Sequence, residues 1–334
     1  MTAPGEEGVP RPATVVRPSL DFSHLLSRKE FLAELSRLFP SGRGPVTAGD
    51  VRFQVLKAHR QRCTFDVAVE VEGERRHVIA KAFDVDRSHV FEAARTVARS
   101  GFGSDAEFAV PRPVAYLRSL NVLLEEKVYG TPAKDVFLQR DAAPHLIAAE
   151  RSAAWLARFH AADFHLGNTT TPSDLLPQIS YWSGRLKGAG EPFASKCESL
   201  VRKLETSMPR PDAIAPRPGH GSYIPEHVLL TGSRVITIDL DEHDMADPGR
   251  DLAWFVVSLQ RLGLGAEGSI RARDAAVKTF LDAYAATRGR DALKHLAFFK
   301  AAECLHRAHR DLYKRETPIP GWAETMLDEG LRAL

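Results

Sequence analysis

His220-Gly221-Ser222-Tyr223-Ile224-Pro225-Glu226-His227-Val228-Leu229-Leu230 leads through Thr231-Gly232-Ser233-Arg234 into Val235-Ile236-Thr237-Ile238-Asp239-Leu240-Asp241. The opening residues read as a tight loop and Val228 to Leu230 as a short apolar strand. Thr231-Gly232-Ser233 is a turn, and Val235 to Ile238 is a second apolar strand that ends on an acid. A carboxylate delivered by a buried strand is a common way to hold a hard metal ion. Asp241 lies two residues further on, so in an extended chain it points to the same side as Asp239.

Upstream of this segment the pattern is that of strands. Residues 1–20 are rich in Pro, Gly and Glu and read as a disordered tail. Phe31, Leu32, Leu35, Leu38 and Phe39 follow at helical spacing. Strands are predicted at 51–56, 63–71 and 77–83; the second alternates Phe65, Val67, Val69 and Val71, and Glu72-Gly73-Glu74 turns into the third. A helix at 87–99 and strands at 113–117 and 122–127 complete the first half, and Val128-Tyr129-Gly130-Thr131-Pro132 reads as a hinge. Beyond it, helical periodicity marks 149–162, 251–262, 270–286, 292–310 and 321–334, with mixed helix and loop over 172–208. Five strands, a hinge, then helices around one two-stranded loop make an α+β chain of two lobes, the first over 21–130 and the second over 131–334.

Composition narrows the function classes. The 45 Lys plus Arg nearly balance the 43 Asp plus Glu, so nothing points to a nucleic-acid partner. Three cysteines, Cys63, Cys197 and Cys304, lie far apart, which fits neither a disulfide framework nor a cysteine metal site. No apolar run reaches the length of a membrane span, and the N-terminus lacks a leader pattern, so the expectation is a cytoplasmic protein that engages no membrane.

The chain resembles the aminoglycoside phosphotransferase and choline kinase-like family, which has the two-lobed protein-kinase-like fold. The likeness runs from about Val51 to Leu262, and its most specific string is Asp247-Pro248-Gly249-Arg250-Asp251-Leu252-Ala253. The resemblance implies an N-terminal five-stranded antiparallel sheet plus helix, a larger helical C-lobe, and the catalytic-like loop within 220–241. It implies ATP and Mg²⁺ as cofactors, with Lys81, in Val78-Ile79-Ala80-Lys81, on the nucleotide phosphates and Glu92 as its helix partner. In the turn before Cys63, Arg60 and Arg62 stand ready to ligate phosphate by side chain, because that turn has no glycine to free its backbone amides. Asp239 matches the family's metal-binding Asp, Asp241 shares the ion or faces solvent, and Asp251 caps loop amides. His160, on the core helix, reads as a structural histidine.

Two departures stand out. The family's catalytic Asp is Ser222 here, and its second metal ligand, usually Asn, is His227. A serine hydroxyl is no base at neutral pH, and general-base help is worth roughly 10²–10⁴ in rate. Imidazole also suits Mg²⁺ poorly. One reading is a pseudokinase or impaired kinase that keeps a nucleotide site and acts through a partner protein, a peptide or a metabolite in its cleft, a role known among relatives in natural-product biosynthesis. The other is an active ATP-dependent phosphotransferase on a hydroxyl of a small molecule or peptide, with His220, Asp241 or Glu226 as a substituted base. His306 and His309, among Arg307, Arg310, Lys314 and Arg315, read as a solvated basic face.

Overall fold

The alternation of Phe65, Val67 and Val69 requires a strand with one covered face. In the computed structural model, which describes residues 28–42, 44–58 and 61–334, all three are buried. They belong to β2 (Arg62–Val71), which turns through Glu72 and Gly73 into β3 (Glu74–Phe83). Both turn residues have positive φ, 55° and 84°, the geometry that lets a two-residue hairpin follow the twist of its strands. With β1 (Val51–Ala58), β5 (Pro113–Leu117) and β6 (Val122–Glu126) they form a sheet in the order β1-β2-β3-β6-β5, antiparallel throughout. Helix α1 (Lys29–Leu38) lays Phe31 and Leu35 into the core of this sheet. Helix α2 (Ser88–Val97) instead faces two ways: Val90 meets Phe83 and Leu123 of the sheet, while Ala93, Ala94 and Val97 join the core of the second lobe.

The second lobe starts with short strands. β4 (Phe108–Ala109) and β7 (Thr131–Pro132) flank β9 (Val228–Thr231) and β10 (Arg234–Thr237) in the order β4-β10-β9-β7, with β4 parallel to β10. β8 (Arg217–Gly219) pairs with β11 (Asp244–Ala246) on either side of the central segment. Around them pack α3 (Ala133–Phe137), α4 (Ala143–Ala161), α5 (Leu176–Lys187), α6 (Phe193–Ser207), α7 (Pro248–Glu267), α8 (Asp274–Arg288), α9 (Leu296–Tyr313) and α10 (Pro320–Ala333). Trp155 of α4, Tyr223 of the central loop, and Phe255 of α7 stack in sequence, with centroids 5.6 and 5.4 Å apart. The Tyr223 hydroxyl donates to the Ser152 carbonyl at 2.8 Å. A fully buried aromatic therefore anchors the loop from the residue next to Ser222.

The strands and long helices lie where the periodicity places them, and the two-lobed α+β plan is that of the sequence reading. The proposed tail at 1–20 lies outside the described residues, as does Arg60. Among the described residues no helix is long and apolar enough to cross a membrane.

The reading of α9 needs correction. His309 is 2% exposed, with Tyr181 and Tyr313 rings 5.4 and 5.5 Å away, and neither ring nitrogen has a hydrogen-bond partner. His306 stacks on Trp182 at 4.5 Å. Helical spacing put the two on one face, but α5 covers that face, which periodicity alone cannot reveal. Burial, reinforced by the charges of His306 and Lys314, holds the His309 pKa down to about 4. A folded-state pKa below the unfolded value of about 6.5 means that the unfolded chain takes up the proton first. Stability should therefore fall as pH drops from about 6.5 towards 4. His309→Leu should lose less stability than wild type between neutral and mildly acidic pH, as read by urea unfolding at each pH; equal losses would refute the neutral buried imidazole.

Candidate functional site

The site lies where the sheet of the first lobe meets the loop 220–241. Lys81 is on β3, whose register with β6 sets Ile79 opposite Glu125 and Lys81 opposite Leu123. Glu125 is thus the diagonal neighbour of Lys81 on the same face, and its Oε2 is 3.1 Å from the Lys81 Nζ. Across the cleft, Nζ lies 3.0 Å from Asp241 Oδ1 and 3.6 Å from Asp239 Oδ1. Burial works against the lysine's charge, but Asp241, Glu125 and Asp239 outweigh it and its pKa rises. Burial also raises the Glu125 carboxyl, which Lys81 only partly offsets.

Glu125 takes the place expected for Glu92. Helix α2 turns Val90, Ala93, Ala94 and Val97 inward, so Glu92 falls on the opposite face, half-exposed and paired with Arg95. The lysine's partner thus comes from the adjacent strand and not from the helix.

Arg62, at the start of β2, reaches the same two acids. Its Nη1 donates to Asp239 Oδ1 at 3.0 Å and to Asp241 Oδ2. Asp239 and Asp241 come together, though not by extension: Asp239 is left-handed, φ 69°, and Leu240 to Glu242 form a single tight turn. A positive φ is uncommon for a residue with a Cβ and is a form of backbone strain found at functional sites. Burial pushes the Asp239 carboxyl up, but Lys81, His227 and Arg62 together hold it far below the ordinary carboxylate range.

His227 completes the cluster. Its Nδ1–H donates to the Ser222 carbonyl at 3.0 Å, which leaves the Nε2 lone pair facing Asp239 Oδ2 at 3.4 Å. Burial lowers the pKa of this imidazole to about 4, so it is neutral at physiological pH. Two lone-pair donors facing one another at this distance fit a shared cation, since ligands about 2.0–2.2 Å from one ion stand roughly 3.0–3.5 Å apart. A mixed nitrogen–oxygen pair suits Mn²⁺ or Zn²⁺ better than Mg²⁺. Among the described residues no three His, Cys, Asp or Glu groups are gathered as a complete metal cage, so further ligands would be phosphate oxygens and water.

The loop itself is held from beneath. Asp251, on α7, accepts from the His220 and Gly221 amides at 2.7 and 2.9 Å and from His160 Nε2 at 3.2 Å. Burial raises this carboxyl, but the His160 hydrogen bond and neighbouring charges bring it to about 2. His160 also pairs with the Tyr284 hydroxyl at 2.8 Å, the structural role expected of it. At Gly221, with φ 80°, any Cβ would overlap the Glu242 carbonyl. His220 is buried, and its Nε2 donates to the Ile238 carbonyl at 3.0 Å. No described residue bonds the Ser222 hydroxyl.

Between the lobes lies a cavity of about 400 Å³. Leu56, Ile79, Val128, Leu229 and Ile238 form apolar walls, and Lys57, Arg62, Lys81 and Asp239 stand at its polar side. The structure thus brings Lys81, Arg62, Asp239, Asp241 and His227 together, with Ser222 and His220 on the adjoining loop. It leaves Glu92 outside. Glu125 went unrecognised because it lies within a predicted strand, and only the pairing of β3 with β6 reveals which side chain it meets.

Three solved structures illustrate the similarity of fold. One is an aminoglycoside phosphotransferase-like protein of Ralstonia eutropha, 17% identical, with a TM-score of 0.60 over 90% of this chain and 96% of that one. Another is a choline/ethanolamine kinase family protein of Mesorhizobium loti, 16% identical, with a TM-score of 0.56 over 84% and 87%. A third is an ADP-bound aminoglycoside phosphotransferase, 11% identical, with a TM-score of 0.54 over 94% and 98%. At such identities the likeness shows the fold alone. No curated protein matches the sequence. The model of the phosphotransferase enzyme family, however, matches residues 67–296. That span holds Lys81, the 220–241 loop and the Asp251 brace, and by it the chain belongs to the phosphotransferase enzyme family.

Proposed function

We propose that this protein binds ATP between its lobes and has impaired phosphoryl transfer, acting through what it holds in the cleft: a small molecule or peptide, with a partner protein docked on it. The observation that carries this reading is how the acids around the loop are engaged. Asp239 and Asp241 are bound by Arg62 and Lys81, and Asp251 by the loop amides and His160. Glu226 lies 3.5 Å from Lys134 Nζ. Position 222, where the family carries its base, has a hydroxyl. The apolar walls suit a purine base, and Lys81 with Arg62 suits its phosphates. The ADP bound in the structurally similar phosphotransferase is consistent with that use of the cavity. The residues fit a divalent ion through Asp239 and His227, which would neutralise phosphate charge once Arg62 gives way.

A second reading, an active transferase, draws on one acid. Glu242 is exposed, stands against Gly221, and has no ion-pair partner among the described residues. An accessible carboxylate free of any ion pair beside the loop is the kind of group a substituted general base requires.

Calorimetric titration of ATP with Mg²⁺ or Mn²⁺ tests both readings. Saturable binding that is tighter with Mn²⁺, with turnover raised about 10²-fold or more by Ser222→Asp, is the expected result for an impaired kinase. No binding at millimolar ATP would overturn the nucleotide site. Full turnover in wild type that Glu242→Gln abolishes would establish the second reading instead.

A further inference from the structure

We propose that a second cavity, under the 220–227 loop, binds an oxyanion, a carboxylate or phosphate borne by the cleft's ligand. Its volume is about 400 Å³, and its cationic wall is Lys134, Arg261, Arg307 and Arg315 around Trp322. That the anion belongs to the cleft's ligand rests on the function proposed above; the anion site itself does not.

Local sequence builds this cavity from separate elements. Ser258, Arg261, Leu262 and Gly265 recur at helical spacing along one side of α7, and α9 contributes Arg307. Trp322 of α10 lies under two guanidiniums, Arg261 at 5.3 Å and Arg315 at 5.0 Å from its centroid. Gly265 leaves room for the indole, since a Cβ there would come within 3.0 Å of it.

The charge is not balanced. Asp311, fully buried, accepts from both terminal nitrogens of Arg261 at 2.6 and 2.7 Å and from Arg315 Nε at 2.8 Å. One carboxylate thus serves two guanidiniums. Arg307 gives its Nε–H to Glu303, and its Nη2 is buried with no partner. No described residue accepts from the terminal nitrogens of Arg315. Four cations therefore face three carboxylates, Asp311, Glu303 and Glu226, with fixed planar donors left over. Forked guanidinium donors in excess match the paired oxygens of a carboxylate or phosphate. The same excess disfavours a polycation here. Glu226 also lines the interlobe cavity, so an occupant of the basic cavity lies beside the loop that carries Ser222.

The test uses the full chain with ¹⁵N-labelled tryptophan and no nucleotide, following the Trp322 indole signal, assigned through Trp322→Phe. Sodium phosphate and sodium succinate are titrated at constant ionic strength against sodium chloride. The expected result is a saturable shift with phosphate, succinate or both, weakened about tenfold by Arg315→Gln and partly restored by Arg315→Lys. The tighter probe names the anion. Arg315 is more than a third exposed, so its variants should fold even if Arg307→Gln does not. A shift that follows chloride without saturating, or one that Arg315→Gln leaves unchanged, overturns the proposal. A chain silent to ATP that still passes this test would overturn the nucleotide site alone.

Discussion

Lys81→Met is expected to destabilise the folded chain by about 3–5 kcal/mol, because it leaves the buried Glu125 carboxylate without its cation. Asp241 retains Arg62, but Glu125 has only Lys81 among its ion-pair partners. The effect should be largely relieved by Glu125→Gln in the same chain, since an amide there carries no charge to neutralise. Urea unfolding of wild type, the two single variants and the double variant gives the coupling directly. Strictly additive losses would show that the two side chains do not depend on one another. Glu92→Gln is the contrasting control. On an exposed helix face its effect should stay within about 0.5 kcal/mol, whereas a lysine partner at that position would give a loss close to that at Glu125.

Asp251→Ala should cost a comparable amount, for a different reason. It leaves the His220 and Gly221 amides and the His160 ring without their acceptor in a fully buried setting. Each buried donor left unpaired costs about 1–3 kcal/mol. Asp251→Asn keeps one acceptor oxygen and should fall between wild type and alanine. The pH dependence follows the same group. Its folded-state pKa, about 2, lies below the unfolded value, so the stability it contributes is present above about pH 4 and disappears as pH falls through 2. Thermal unfolding across this range should show the acid loss in wild type and a shallower one in Asp251→Asn. Parallel curves would mean that the carboxylate charge is not what holds the loop.

The fold was legible in the sequence because its strongest signals are local. Phe65, Val67 and Val69 declare a strand one residue at a time and Glu72-Gly73 declares the turn, while the loop brace at Asp251 came from the family resemblance carried by the run Asp247 to Ala253. What stayed hidden is long-range. Arg62 meets Asp239 and Asp241 across 177 and 179 positions, and no spacing rule spans such a distance. Glu125 was missed because strand order, β3 beside β6, decides its neighbour. The His306 and His309 face was identified as a face but assigned to water, since period tells which residues share a side and not what covers it. The short β8–β11 pair lacks enough residues to show any period at all.

The path of the backbone between the lobes has a consequence for motion and for folding. After α2 the chain enters the sheet of the second lobe as β4, returns to the first lobe for β5 and β6, and crosses again into β7. Three crossings stitch the halves together, each fixed at its far end by strand pairing. A single linker would let the lobes twist and slide freely; three separate crossings restrict both motions. The same stitching removes autonomy. A fragment ending at the hinge would carry β4 without β10 and α2 without the core that covers Ala93, Ala94 and Val97. The two lobes are thus separate in shape but form one cooperative unit.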